Sequence, residues 1–559
     1  MAFNNGSNAD SQESRFGMTR RKLLQGGAAV TSAMALGGCL DLFEDEEYLT
    51  VTQQVEPLEW DPIVINDVYS SQITQNIYDG LYEYDTGVEL VPKIADGQPQ
   101  PNEDGTEWTI DIKEGVTFSN GDELTAEDVA HSFMAPIIEQ TENITEVDAI
   151  ESVDVLDDYT VQVNLEHPFA QFATVTVNRS IVNKSARLDA MGLSEDEYYE
   201  HDFVEDPVNL DSSYNTDEPI GSGPYEFVDW AEGEFVEIER RDDYWDEDAV
   251  GTPNIAEVVY EPVDEDTTRI TRLEEESSEV IMGIPAHLWD DVQDIEHASI
   301  QEAESISYFY LAFNCNEGPT TQLEVREAID MVFDMQAFID EHVVPSGVRA
   351  RTPLPPSIAE DWDFPVDQWT EDYEYDVDLD MAESLLDEHA PDDWEPLIIV
   401  PPDDLRELLG EVIQSGLNEI GYDATVQRID WGPFTERYQS GDADEFNMYT
   451  LGWAGAGDPD VFMYPLFHED SAGLNQGHFY DDEQWVHDNI LEARRGTDLD
   501  ERQQLYEEAI EQILADKVHL PAYSLKNTMG VHEDVEDVAS HPASQLNPRI
   551  FSHYNNAQL

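Results

Sequence analysis

Residues 104–129 read Asp-Gly-Thr-Glu-Trp-Thr-Ile-Asp-Ile-Lys-Glu-Gly-Val-Thr-Phe-Ser-Asn-Gly-Asp-Glu-Leu-Thr-Ala-Glu-Asp-Val. Trp108 to Ile112 alternates apolar and polar side chains with the period of two that marks a half-buried strand. Gly115 and Gly121 punctuate turns, and Thr125 followed by Asp128 gives a capping-box start to a helix running toward Ile138. Strand, tight connection and capped helix in so short a span predict α/β layers rather than a bundle or a sandwich.

The same alternation extends in both directions. Tyr48 to Val55 reads as the first strand. Val153–Leu156 and Tyr159–Leu165 form a hairpin across Asp157-Asp158, and Tyr225–Trp230 with Phe235–Arg240 form another, turning at Glu232-Gly233. Ile306 to Phe313 is a strand, followed by a helix from Glu324 to Ile339, a Pro-rich connection from Pro353 to Pro356, and αβ units to about Leu525. Phe446 to Leu451 is an apolar strand. No internal repeat, coiled coil or low-complexity segment stands out.

Composition sets the solvent. The 559 residues hold 125 Asp and Glu against 25 Lys and Arg, a formal charge of −100. Such acidity ordinarily signals disorder, yet 40% hydrophobic residues with 11 Trp, 24 Tyr and 21 Phe supply cores. The carboxylates therefore belong on a folded surface. Spread from end to end, with Lys at six positions, they fit a protein adapted to multimolar salt, where the Debye length is about 3 Å and self-repulsion is screened. The alternative is an acidic surface that binds cations or a basic partner. Nucleic acid is excluded as a partner, because phosphate contacts need clustered Lys and Arg.

The N-terminal segment reads as an address. Arg20 and Arg21 precede a small-residue apolar run, Leu23 to Gly38, which suits a twin-arginine export signal and falls short of the about 20 apolar residues that span a bilayer. Leu36-Gly37-Gly38-Cys39 has the form of a lipobox, making Cys39 the lipidated first residue of the mature chain. Residues 39–47 are then an acidic tether. Cys315, the second of two cysteines, has no disulfide partner and follows an apolar run, as a small core residue does.

The blocks in order resemble the peptide/nickel-type, family 5 solute-binding proteins of ABC importers, which include dipeptide- and oligopeptide-binding members, here of a halophilic archaeal type with a twin-arginine lipoprotein signal. They are Leu58-Glu59-Trp60-Asp61-Pro62, Ile77 to Asp85, Val91-Pro92-Lys93-Ile94-Ala95, the stretch 104–129, Pro219 to Tyr225, and Arg241-Asp242-Asp243-Tyr244-Trp245. Phe313-Asn314, Val325 to Ile329, Gly452-Trp453 with Asp458-Pro459, and Leu520-Pro521 follow. The resemblance implies a two-lobed periplasmic-binding-protein fold, class II and of the large peptide-binding type, with two crossover hinge strands. Lobe 1 would take residues 48–308 and 525–559, with an inserted subdomain at about 85–220. Lobe 2 would take 309–524, and the hinges would be Tyr308 to Leu311 and Leu520 to Ser524.

The resemblance also implies a ligand cleft with aromatic walls. Trp431, Gly452, Trp453 and Ala454 fall on cleft-lining positions, with Asn314 and Asp458 as further candidates. Trp431 reads equally as a strand-end core residue, and Asn314 as a residue that holds backbone beside the hinge. Peptide-binding relatives place an Asp just beyond Gly-Trp for the ligand's α-ammonium, where this chain has Ala456. Losing that carboxylate costs a buried ammonium about 3 kcal/mol or more. Arg406 lies near, but out of register with, a carboxylate-binding arginine of dipeptide binders.

The expected function is capture of an oligopeptide- or dipeptide-like solute and its presentation to an ABC permease. The expected protein is a monomer on the outer face of the cytoplasmic membrane, held by its lipid, without cofactor or metal. The alternatives are a non-peptide solute, such as an oligosaccharide or metal chelate, or an exported hydrolase. Gly-x-Ser-x-Gly, His-Glu-x-x-His and phosphate-loop motifs are lacking. Asp376-x-Asp378-x-Asp380 imitates an EF-hand start, but Met381 stands where glycine is needed. The 14 His show no pair at ligand spacing, and Asn143, Asn178 and Asn183 begin glycosylation sequons.

Overall fold

The computed structural model describes residues 48–559, except 66, 103, 142, 144–146, 205–207, 209–218 and 475–483. The export segment with Arg20, Arg21 and Cys39, and the tether through residue 47, lie outside the described residues.

The opening stretch folds as strand Glu107–Asp111 and helix Ala126–Glu139. Its capping box forms, with the Thr125 amide donating to Asp128 Oδ2 at 2.9 Å, a device worth about 1 kcal/mol. The strand lies in a four-stranded antiparallel sheet between Gln100–Pro101 and Thr160–Leu165, with Ile150–Asp157 at the far edge. Trp108, Ile110, Val129, Phe133, Val161 and Phe172 bury one face of this unit.

A twelve-stranded mixed sheet carries the rest. One half is built on Tyr48–Gln53, Val280–Met282, Glu257–Pro262, Phe235–Arg240 and Tyr225–Ala231. The other half is built on Ser307–Phe313, Met448–Ala454, Leu397–Val400 and Thr425–Arg428. The fourteen-residue strand His519–His532 belongs to both. Residues 519–525 pair with Ser307–Phe313 and Gly347–Arg349, whereas 526–532 pair with Ala298–Glu304 and Val280–Met282. Its companion changes halves between Glu304 and Ser307. The crossing points thus fall at Ser305–Ile306 and Leu525–Lys526, slightly to one side of the two apolar runs read as hinges.

Each half has its own core. Leu49, Val51, Tyr260 and Val280 pack with Val535, Ile550, Phe551 and Ala557 of the returning C-terminal tail. The second half is covered on both faces, by Tyr308, Tyr310, Phe462 and Tyr506 on one side and by Leu311, Ile329, Leu409 and Ile413 on the other.

Three expectations need correction. The helix read as continuous from Glu324 to Ile339 stops at Asp330 and restarts at Met335, because the Asp334 carboxylate accepts the Ala337 amide at 2.9 Å and caps a new turn. The apolar repeat persists through the break, so periodicity alone does not reveal it. The strand read from Phe446 to Leu451 runs instead from Met448 to Ala454, so Trp453 lies within it. Asn143 and Asn183 make poor glycan acceptors: both are buried, Asn143 donating to the Ile63 and Ile65 carbonyls and Asn183 capping helix Lys184–Met191. Asp378 is a helix cap, accepting the Met381 amide at 3.0 Å.

Ten of the Lys and Arg side chains are buried, among them Lys93, Arg187, Arg241, Arg269, Arg502 and Arg549. Only 21 of the chain's 25 follow residue 47, so nearly half of the available cations serve the interior. Carboxylates dominate outside.

Candidate functional site

Strands Leu397–Val400, Thr425–Arg428 and Met448–Ala454 run parallel, with Leu397–Val400 in the middle. Their carboxyl ends meet at one edge of the second half, the place where open α/β sheets bind ligands. From the middle strand the chain passes to Asp403, which caps helix Asp404–Glu419 by accepting the Arg406 amide at 2.8 Å. From the outer strand it passes to Trp431, the first residue of helix Trp431–Ser440 and half exposed. The third ends in Gly452, Trp453 and Ala454.

Four of the six sequence-predicted residues, Trp431, Gly452, Trp453 and Ala454, therefore share this edge. Trp453 lies half-buried, opposite Tyr308, and its indole Nε1–H donates to the Val461 carbonyl at 2.8 Å. Gly452 faces Phe309 in the neighbouring strand, and a side chain there would collide with the Phe309 ring. Phe309 stacks on Tyr523 at 4.8 Å and carries the Arg406 guanidinium over its face at 5.1 Å. Arg406 Nε is buried without a hydrogen-bond partner, the Asp403 carboxylate standing 4.0 Å away. Reasoning from spacing had set Arg406 aside.

Asn314 and Asp458 are placed elsewhere. Asn314 sits at the other end of strand Ser307–Phe313, fully buried, its amide donating to the Gly441 and Phe446 carbonyls at 3.2 and 3.3 Å. That end is about 20 Å from Ala454, at about 3.3 Å per strand residue. Asp458 is buried and accepts two bonds from Arg502 Nη2, at 2.8 and 3.0 Å. Its charge is consumed within the protein, and Ala456 is buried beside it.

The segment that follows makes a contact no motif announced. Asp460 opens helix Asp460–Phe467 and is fully buried. It accepts from Tyr506 Oη at 2.9 Å, from Arg494, and from Gln171 Nε2 at 2.8 Å. Gln171 comes from the unit that holds the opening stretch, so this bond joins the two lobes. Arg494 extends it, resting 4.6 Å from the Phe169 ring and 3.5 Å from Asp148. Val88 adds an apolar touch, close enough that a Cβ on Gly457 would come within 2.9 Å. Burial raises Asp460 to about 6, with Arg494 opposing and Asp458 reinforcing the shift.

A second buried cluster stays inside lobe 1. Lys93 lies 3.3 Å from Asp79 and 3.2 Å from Glu83. Asp79 also accepts Tyr244 Oη at 3.2 Å and Trp245 Nε1 at 2.9 Å. Arg549 and His553 approach Glu83 from the C-terminal tail. Burial disfavours the charged Glu83, but Lys93, His553 and Arg549 outweigh it and hold the carboxyl down at about 2. Asp79 is raised, burial there prevailing over Lys93 and Trp245.

Residues 89–473 match the family model described as bacterial extracellular solute-binding proteins, family 5 middle. The chain belongs to this family. Similar proteins include the oligopeptide-binding protein AppA of Bacillus subtilis, 23% identical over 510 residues and covering 88% of each chain. They also include heme-binding protein A of Haemophilus influenzae, 25% identical over 490 residues, 81% of this chain and 82% of that one. The structure of Bacillus subtilis AppA with a nonapeptide superposes with a TM-score of 0.74 at 21% identity, over 92% of this chain and 98% of that one. The two-lobed family 5 fold is thus the fold of this chain, and the family's proteins are solute binders. Among the described residues no helix is long and apolar enough to cross a membrane.

Proposed function

We propose that this family 5 protein is the membrane-tethered receptor of an ABC importer, working in concentrated salt. Its ligand is a small organic solute bearing a carboxylate, with short peptides the leading class. The observation that carries the ligand assignment is Arg406. In a chain so rich in acid, one guanidinium at the strand ends keeps Nε unpartnered and its nearest carboxylate 4.0 Å away. An anionic ligand group would complete it with charge-assisted hydrogen bonds, while Phe309, Trp453 and Trp431 provide apolar wall. Binding, closure about the crossing strands, docking and release need no covalent chemistry. Cys39 as lipid anchor and Arg20-Arg21 as export signal belong to the same reading, since a tether raises the receptor's concentration near its permease.

The second reading, a non-peptide solute such as a metal chelate, is favoured by one feature. Ala456 offers no carboxylate and Asp458 is already paired with Arg502, so a peptide's α-ammonium has no counter-charge at the family position. Mass spectrometry of small molecules released from protein purified natively in molar KCl tests both readings. A carboxylated ligand whose affinity falls at least about tenfold in Arg406→Gln, and in its own amidated form, supports the first. A ligand without an anionic group, or one indifferent to Arg406→Gln, overturns the assignment.

A further inference from the structure

The sequence offers no histidine pair at ligand spacing, but the fold makes one. His297 immediately precedes strand Ala298–Glu304 and His532 ends strand His519–His532, and these strands pair so that Ala298 lies opposite His532. The two imidazole rings stand 5.1 Å apart. Glu276 joins them from the turn after helix Asp266–Glu274. One ligand atom from each of Glu276, His297 and His532 lies within 4.8 Å of the other two.

The protonation pattern at His297 favours coordination. The Leu273 carbonyl can only accept, so the 3.3 Å contact with His297 Nε2 puts the proton there and leaves the Nδ1 lone pair available. His532 is 8% exposed and its Nε2 is buried without a hydrogen-bond partner. Its Nδ1 accepts the Asp534 amide at 3.2 Å, with the Asp534 carboxylate 3.6 Å away, so the neutral ring carries its proton on Nε2. Glu276 holds a left-handed backbone, φ 54°, which costs a residue with a Cβ about 1–2 kcal/mol. The carboxylate is thereby kept at a position where glycine would be easier.

We propose that Glu276, His297 and His532 form a divalent transition-metal site at the lobe 1 root of both crossing strands. Two imidazoles and one carboxylate select Zn²⁺, Co²⁺, Ni²⁺ or Cu²⁺ over Mg²⁺ and Ca²⁺, which prefer all-oxygen shells. On binding at His532 Nε2 the metal replaces that nitrogen's proton. The ring's proton then sits on Nδ1, which gives up the Asp534 amide and turns to the Asp534 carboxylate 3.6 Å away, the outer partner that orients a metal-bound imidazole. The exposed Glu276 side leaves the remaining positions to water. Because one ligand comes from each crossing strand's lobe 1 end, the bound ion fixes the base on which lobe 2 turns. The site is remote from the solute edge, and its existence does not depend on the identity of the solute.

Titrating the full-length protein with Co²⁺, with excess Mg²⁺ present to occupy exposed carboxylates, tests the site. The expected result is one saturable Co²⁺ with the visible absorption of imidazole ligation, displaced by Zn²⁺ and reversed by EDTA. His297→Ala, at the more exposed ligand, abolishes the absorption while circular dichroism shows the fold retained. Asp534→Asn weakens Co²⁺ binding about tenfold or more. Absorption that persists in His297→Ala, or Co²⁺ that Mg²⁺ displaces in full, would overturn the proposal.

Discussion

Lobe 1 buries Asp79 and Glu83 against Lys93, Arg549 and His553, and the interlobe contact buries Asp458 and Asp460 against Arg494 and Arg502. The two clusters use the same residue types, yet Glu83 in one and Asp460 in the other reach opposite electrostatic ends. Glu83 meets cations from three directions and is held down at about 2. Asp460 sits beside a second carboxylate and takes one of its bonds from a neutral amide, and burial carries it up to about 6. A buried carboxylate surrounded by cations staples one lobe together, whereas a poorly compensated one at a lobe boundary makes that boundary easy to open.

The sharpest way to break this comparison is to remove one partner from each cluster. Lys93→Ala leaves Asp79 and Glu83 buried without their shared partner and should cost about 3–5 kcal/mol in denaturant unfolding in molar salt. A loss under 1 kcal/mol would mean that the cluster does not staple lobe 1. Gln171→Ala removes only the bond that crosses between lobes, about 0.5–1.5 kcal/mol. It should weaken solute binding by roughly twofold to tenfold, at 1.4 kcal/mol per decade, with the thermal midpoint nearly unchanged. A fall in midpoint with affinity intact would show that the bond supports folding rather than closure.

Acid gives a finer separation, with effects of opposite sign. Glu83 is depressed from 4.5 to about 2, so its contribution is complete above pH 4.5 and is lost as pH falls through 2. Asp460 is raised from 3.8 to about 6, so its contribution is complete below pH 3.8 and is lost as pH rises through 6. Stability curves of Glu83→Gln and Asp460→Asn against the parent should differ in these two windows respectively. A shared window would collapse the distinction between the clusters. The smallest expected effect is Trp431→Ala: half exposed at a helix start, it should leave stability within about 0.5 kcal/mol and alter only solute affinity.

Local devices were the legible part of the fold. The period-two run at Trp108–Ile112, the Thr125–Asp128 box and the hairpin turns each involve residues a few positions apart, and each forms where the pattern places it. The clusters were not legible, because their members are distant in the chain: Glu83 meets Arg549, Gln171 meets Asp460, and His297 meets His532. The family blocks record them indirectly. Ile77 to Asp85, Val91 to Ala95 and Arg241 to Trp245 converge on Asp79, and Asp458-Pro459 delivers the partner of Arg502. In the structure those blocks serve buried polar networks. Arg406 was set aside for a related reason: register along the sequence does not report which guanidinium lacks a close partner.

The crossing strands carry one more implication. Glu304 and Lys526 are direct partners across the antiparallel pair, so the chain leaves for lobe 2 and returns through a single doorway one strand spacing wide. Lobe 2 is therefore a cassette. Replacing residues 305–525 by a two-residue turn would close lobe 1 as an ordinary hairpin, and a different cassette could be hung from the same frame.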